Sequence, residues 1–306
     1  MSGKNRAVQV ATVSQDYLWE PQRKEMIGKT LDRLEAAASC QPDIVCLPEV
    51  FTGSEPEKVP GPMTERLSEW AKAKSTYVVC PIMTLVDGHK HNSAVLIDRA
   101  GTITGQYNKT HPTEGELESG IAPGSSAAVF KTDFGTIGIQ ICFDVNWHEV
   151  WRSLKARGAE IVFYPAAFPA HRMLSALAWI NQYYIVSSTR TRASRIYDIS
   201  GEVMAASGMF QPWAQATLYL SKRLFEIDFH TGKMKQLQQR YGQRVLVQWY
   251  HDDDRFTLAS LDPELSMEEL IEEFGLVPLR EYLVRAGRAV DMARGAPCDW
   301  GPAAGE

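Results

Sequence analysis

GTIGIQICFDVNWHE, residues 135–149, is the stretch whose reading decides the fold. Ile137, Ile139 and Ile141 alternate with Gly138, Gln140 and Cys142, so the isoleucines share one face of a strand and the cysteine lies on the other. Cys142 falls at the strand end. The polar Asp144 and Asn146 follow, and Trp147-His148-Glu149 opens an amphipathic segment running to about Arg157. A cysteine where a buried strand turns toward a helix stands where nucleophiles are often placed. A lone cysteine is more commonly a small buried apolar residue. Other segments must therefore decide its role.

Two do. PDIVCLPEVF, residues 42–51, ends a short apolar run with Glu49, and GQYNKTHPTEGELESG, residues 105–120, carries Lys109 and Glu116 ahead of the cysteine strand. A carboxylate, an ammonium and a thiol, each closing its own strand-like run, form the inventory of a covalent acyl-transfer site: base, oxyanion stabiliser and nucleophile.

The surrounding pattern is α/β. AVQVATVS reads as a strand, and Met26, Ile27, Leu31, Leu34 and Ala38 recur at helical spacing within a helix from about Pro21 to Ser39. DIVCLP is the next strand, MTERLSEWAKAKS a helix, YVVCPIMTLV and SAVLID strands, and Ala100-Gly101 a turn into a strand ending near Tyr107. Gly135 supports a hairpin. Beyond Arg157 come the strand EIVFYPA, a helix from about Met173 to Gln182, the strand YYIVSSTR, and the pair SRIYDIS and EVMAAS joined at Gly201. Strands alternating with helices and interrupted by hairpins predict a mixed sheet with helices outside.

These segments, in this order, resemble the carbon-nitrogen hydrolase family, or nitrilase superfamily, over roughly residues 5 to 220. The resemblance implies a four-layer α-β-β-α sandwich with its site at one end of the two sheets. It also implies pairing through outer helices into a homodimer or higher homo-oligomer. Glu49 would be general base and acid, Lys109 would stabilise the oxyanion, and Cys142 would carry a thioester. Glu116 would be the family's second glutamate, with Glu114 and Glu118 close enough to confuse the register. Phe143-Asp144 after the cysteine looks like the amidase and carbamoyl-amide hydrolase branches, where true nitrilases have Trp-Glu. Val145 and Asn146 replace the arginines by which N-carbamoyl-D-amino acid hydrolases hold a carboxylate, leaving Arg190, Arg192 or Arg195 for that task. The expected activity is hydrolysis of a small amide or N-carbamoyl amide. The alternatives are nitrile hydrolysis at the same site and a non-hydrolytic acyl-transfer or binding role.

Composition narrows the partners. The 306 residues are 44% hydrophobic and 23% charged with a net charge of −5, as in ordinary soluble globular proteins. No basic run with interleaved aromatics suggests nucleic acid, and no segment reaches the length of a membrane span. MSGKNRAVQV lacks the apolar stretch of a signal peptide, so a cytoplasmic protein is expected. The five cysteines, Cys40, Cys46, Cys80, Cys142 and Cys298, contain no C-x-x-C pair. Cys46 and Cys80 read as inert strand residues. His148-Glu149 lacks the second histidine of a zincin helix, because position 152 is Arg152. His89 and His91 read as a solvated turn, Asp252 to Asp254 as a solvated surface, and no nucleotide loop is present, so no cofactor or metal is expected. Trp147, Phe168 and Trp179 are pocket-lining or packing aromatics.

Residues 1–220 are thus expected to form the catalytic domain and 221–306 a divergent extension packed on the body or a partner subunit. Ser266 and Glu269 form a capping box opening a helix that Gly275 ends, and a second helix, with Leu279, Tyr282, Leu283 and Ala286 on one face, follows Pro278. RGAPCDWGPAAGE reads as an irregular tail.

Overall fold

Two six-stranded sheets carry the fold between Ala7 and Leu220. In the computed structural model, which describes residues 7–18 and 25–298, β1 (Ala7–Val13) pairs in parallel with β2 (Ile44–Cys46), and β2 with β3 (Tyr77–Val86). Parallel neighbours need crossovers, and α1 (Met26–Ala37) and α2 (Pro62–Lys74) supply them. Antiparallel strands complete the sheet: β4 (His89–Ile97), β5 (Ile103–Asn108) and, against β1, β12 (Trp213–Tyr219). The order is β12-β1-β2-β3-β4-β5.

The second sheet repeats the plan. Its parallel centre is β7 (Thr136–Ile139), β8 (Ile161–Ala166) and β9 (Tyr184–Thr189), linked by α4 (His148–Ala156) and α5 (His171–Asn181). Its flanks are β6 (Val129–Lys131), β10 (Arg195–Tyr197) and β11 (Val203–Ala206).

Small hydroxyl side chains join the two sheets. Thr12 Oγ1 donates to the Ser187 carbonyl at 2.6 Å, and Ser188 Oγ to the Val13 and Cys46 carbonyls at 2.7 and 3.1 Å. Buried hydroxyls need such partners. Outside the first sheet, Leu34 and Ala37 of α1 and Leu67 and Ala71 of α2 pack on Val45, Val78, Cys80 and Val95. Outside the second, Trp151 and Leu154 of α4 and Leu174, Leu177 and Ala178 of α5 are buried. The result is the four-layer α-β-β-α sandwich.

The strand around Ile137 is buried, as its sequence implies. Every residue of β7 is buried, because one face meets the other sheet and the other meets α4. Gly138 faces the helix: a Cβ there would come within 3.0 Å of Leu154 Cδ1. The expected helix near Pro21 is described from Met26, and residues 21–24 lie outside the described residues. The strand SAVLID begins earlier, at His89, so His89 and His91 are ladder residues opposite Val86 and Thr84. Strand β12 and the short α3 (Glu114–Glu118) have no counterpart in the sequence reading.

From Ser221 the chain forms a second compact unit. Beyond the two helices expected from sequence, α7 (Met267–Phe274) and α8 (Leu279–Arg294), it contains α6 (Thr231–Tyr241) and an antiparallel sheet. That sheet runs β13-β15-β14, from β13 (Arg223–Glu226), β14 (Val245–Tyr250) and β15 (Arg255–Ser260). Phe225, Phe256, Leu258, Met234, Leu237 and Leu270 share its core. The capping box forms as read: Ser266 Oγ accepts from the Glu269 N–H, and Glu269 Oε2 accepts from the Ser266 N–H. Asp252 and Asp253 lie in an exposed turn between β14 and β15. Tail residues 299–306 lie outside the described residues.

Candidate active site

Three strands deliver the site. Glu49 follows β2, Lys109 follows β5, and Cys142 follows β7, each at the C-terminal end of its strand. All three are nearly enclosed, with 5%, 1% and 8% of their surface exposed. Lys109 Nζ lies 3.2 Å from Glu49 Oε1 and 2.7 Å from Glu116 Oε2. Asn92 Nδ2 donates to Glu49 Oε1 and to Glu116 Oε1, each at 2.8 Å. The two carboxylates, the ammonium and the amide therefore close a ring. A buried charge needs partners of this kind, since leaving one unpaired costs several kcal/mol, roughly 3 to 5.

Protonation follows from the same contacts. Burial raises the Cys142 pKa and the Glu49 carboxylate raises it further; Lys109 opposes both, and the outcome is about 12. The resting thiol is neutral. The Glu49 carboxylate and the Lys109 ammonium both lie close enough to act on it, in opposite directions. For Lys109, burial favours the neutral amine, but Glu49, Cys142 and Glu116 outweigh it and raise the pKa. For Glu116, burial pushes upward, but hydrogen bonds from Lys109, Asn92 and the Thr113 N–H win and hold it below the usual carboxylate range. The site at rest thus holds an ammonium and an ionised Glu116 beside a protonated thiol.

The backbone is shaped for the thiol. Cys142 has φ +49° and starts a short 3₁₀ turn, Cys142–Asn146. A non-glycine residue in this region is strained by about 1–3 kcal/mol and persists only where neighbours hold it. Tyr164 Oη donates to the Cys142 carbonyl at 2.7 Å. Asp144, fully buried, accepts at Oδ2 from the Ile141 N–H at 2.9 Å and Tyr107 Oη at 2.8 Å. Its Oδ1 accepts from Thr110 Oγ1 at 3.1 Å and the His111 N–H at 2.9 Å. One carboxylate therefore ties the cysteine turn to the lysine segment. The Asp144 carbonyl accepts from Trp151 Nε1, which adds α4 to the clamp. Burial raises the Asp144 pKa against the pull of those donors.

Lys109 is gripped by its main chain as well. Its N–H donates to the Asn92 carbonyl at 2.9 Å, and its carbonyl accepts from the Gly124 N–H at 2.8 Å. Gly124 allows this approach because a Cβ there would lie 2.2 Å from the Asn108 carbonyl oxygen.

Of the three glutamates in the loop, Glu116 alone turns inward; Glu114 and Glu118 are exposed. A sequence signal for this exists. Thr113-x-x-Glu116 is a capping box, with Thr113 Oγ1 accepting from the Glu116 N–H and Glu116 Oε2 accepting from the Thr113 N–H at 2.8 Å. Asn92, Asp144, Tyr164 and Gly124 carry no comparable local mark.

The remaining sequence-marked residues lie elsewhere. Arg190 and Arg192 follow β9, and Arg195 begins β10. Trp147 stacks on His111 with ring centroids 3.9 Å apart. Phe168 is exposed, and Trp179 is half-buried on α5. Cys46 and Cys80 are buried, and burial raises both thiol pKa values. Among the described residues, no group of three or more His, Cys, Asp or Glu could hold a metal ion, and no helix is long and apolar enough to cross a membrane.

Two six-stranded sheets stacked between helix layers are the architecture of the nitrilase superfamily. The chain belongs within it to the carbon-nitrogen hydrolase family, whose sequence pattern matches residues 6–222. The omega-amidase NIT2 of Xenopus tropicalis is 27% identical over 223 residues, covering 65% of this chain and 80% of that protein. The fold resembles Saccharomyces cerevisiae Nit3, of branch 10 of the superfamily, with a TM-score of 0.63 at 20% identity over 79% of this chain and 97% of that one. It also resembles an amidase from Nesterenkonia sp., with a TM-score of 0.58 at 17% identity over 79% and 98% of the two chains.

Proposed function

We propose that the protein hydrolyses the C–N bond of a small amide or N-carbamoyl amide through a thioester on Cys142. The observation that carries this reading is the convergence of three buried strand-end groups: Lys109 Nζ lies 3.2 Å from Glu49 Oε1 and 2.7 Å from Glu116 Oε2, and the charges of Glu49 and Lys109 both act on the Cys142 thiol. An amide carbonyl is a poor electrophile, so it needs a nucleophile, a place for the oxyanion and a proton for the leaving nitrogen.

The residues divide that work. Glu49 takes the thiol proton as sulfur bonds to the carbonyl carbon. Lys109 has three N–H donors; two face Glu49 and Glu116, and the third serves the oxyanion. The protonated Glu49 gives its proton to the leaving nitrogen as the C–N bond breaks. Water then adds to the thioester, losing its proton to Glu49, and the acid leaves as that proton returns to sulfur. Glu116 holds the ammonium in place. The catalytic work is assigned to residues 1–220, in a cytoplasmic homo-oligomer whose size chromatography would report.

The names of the relatives, omega-amidase and amidase, support an amide over a nitrile. Ammonia release from a panel of aliphatic amides, nitriles and N-carbamoyl amines, run beside Cys142→Ala, tests the reading. Release that disappears in the variant, with the fold retained, is expected. Undiminished release in Cys142→Ala would refute the mechanism, and a nitrile outpacing its amide would move the substrate to the nitrilase alternative.

A further inference from the structure

Asn92 is the one uncharged member of the ring, and it touches every other member. It sits on β4 with 1% of its surface exposed. Both hydrogens of its amide are committed, one to Glu49 Oε1 and one to Glu116 Oε1. Its backbone carbonyl accepts from the Lys109 N–H. Its own Oδ1 is buried without a hydrogen-bond partner among the described residues. Leaving a buried carbonyl oxygen unpaired is costly, so the side chain is oriented for its donors.

Those donors do something Lys109 does not. Glu49 Oε1 receives both Asn92 and Lys109, so that oxygen is saturated and Oε2 is the one left to take the thiol proton. An amide also cannot titrate, so it remains a donor at every working pH. We infer that Asn92 is a positioning residue that sets the duties of the two glutamates, presenting Glu49 Oε2 to Cys142 and holding Glu116 on Lys109. This rests on the proposed cysteine mechanism.

The consequence is a pH signature. A donor to a carboxylate favours its charged form, so removing one raises the pKa of that carboxylate. The titratable groups around Glu49 are Lys109, Cys142 and Tyr164, with Glu116 joined to it through Asn92. None of these groups is removed when Asn92 alone is changed.

The test compares Asn92→Ala and Asn92→Asp with the wild type in two assays across pH. The first is kcat and KM on the best amide of the panel. The second is the alkylation rate of Cys142 by iodoacetamide, read on its own peptide. In Asn92→Ala, kcat should fall about 10- to 100-fold with KM little changed, and the acid limb of kcat/KM should move up by about one pH unit, the size of one charge-assisted donor. The acid limb of alkylation should move with it, because it reports the same sharing of a proton between Glu49 and the thiol. Asn92→Asp puts an acceptor where two donors stood. It should be slow at neutral pH and recover toward acid pH, as the new carboxyl gains a donor proton. Asn92→Ser keeps one donor and should fall between wild type and Asn92→Ala; it carries the test if the alanine variant does not fold.

A limb that stays in place in both assays overturns the inference, whatever happens to kcat, because a merely structural asparagine would lower the active fraction without moving it. If the alkylation limb moves while no panel member is turned over, the role of Asn92 stands and the proposed reaction fails.

Discussion

Asp144→Asn is the perturbation that tests how the site is assembled. The wild-type carboxylate accepts four donors, the N–H groups of Ile141 and His111 and the hydroxyls of Tyr107 and Thr110. Asparagine is nearly the same shape but offers one oxygen and one NH₂. The hydroxyls can adapt by accepting from the NH₂, and Thr110 also has Tyr107 Oη and His111 Nδ1 within 3.1 and 2.9 Å. The backbone N–H groups cannot turn. Ile141 binds one carboxylate oxygen and His111 the other, so either amide orientation leaves one N–H facing an N–H. An unmade buried hydrogen bond costs roughly 1–3 kcal/mol, with more for a lost charged acceptor. Relief from burying a charge, whose cost shows in the raised Asp144 pKa, offsets part of that. The expected net loss is about 2 kcal/mol, measured by urea unfolding. Activity should fall further than stability implies, because the clamp sets the separation of Cys142 from Lys109, and a 1 Å misplacement can cost on the order of 10²-fold in rate. Unchanged unfolding together with wild-type kcat would refute the clamp.

The other predictions concern protonation and packing. Because burial and Glu49 push the Cys142 thiol up to about 12, its alkylation should show no inflection near the ordinary thiol value of about 8.5, and full thiolate reactivity should arrive only in strong alkali; full thiolate reactivity already reached by about pH 9, as distinct from the partial level above the acid limb, would contradict the geometry. Glu116 has a folded pKa below its unfolded value, so it contributes stability above the unfolded pKa of about 4.3 that is lost as pH falls through the folded pKa. Between pH 5 and pH 3, on the order of that window, Glu116→Gln should therefore lose less stability than wild type in urea unfolding, and an equal loss would show that the ion pair with Lys109 is not formed in solution. Gly124→Ala would drive a Cβ to 2.2 Å from the Asn108 carbonyl, so the Lys109 segment must shift at a cost of about 1–3 kcal/mol; kcat and melting temperature should fall together, and a neutral substitution would mean that the loop does not pack this closely.

Much of the candidate site could be read from the chain because its titratable residues close local patterns. Glu49 and Cys142 each follow a strand revealed by its apolar residues, and Lys109 follows one marked by the Ala100-Gly101 turn; strand ends open onto one edge of a sheet. Glu116 could be told from Glu114 and Glu118 by the capping box with Thr113, a signal only three residues long. The helices at Ser266 and beyond Pro278 were legible for the same reason. Strands β13 to β15 were not read: β14, VLVQWY, is an apolar run, but β13, RLFE, and β15, RFTLAS, show no clear alternation, and β13 finds its partner β15 only across the intervening α6 and β14.

What the sequence by itself determined is the set of elements and the chemistry at their ends, since periods of two and 3.6 residues and caps of three are local. Tertiary structure decided everything that depends on register between distant segments. The Lys109–Glu49 contact spans 60 residues, Asn92–Glu49 spans 43 and Tyr107–Asp144 spans 37. No local period encodes those separations. The first two arise when the strands of the first sheet pair in register, and the third when the two sheets stack; that stacking also explains why β7 is buried on both faces and ties the Cys142 turn, held at positive φ, to the Lys109 segment. Asn92 and Asp144 look like ordinary polar residues in the chain. Asn92 meets its partners only when β2, β4 and β5 pair in one sheet, and Asp144 meets Tyr107 only when the second sheet stacks on it.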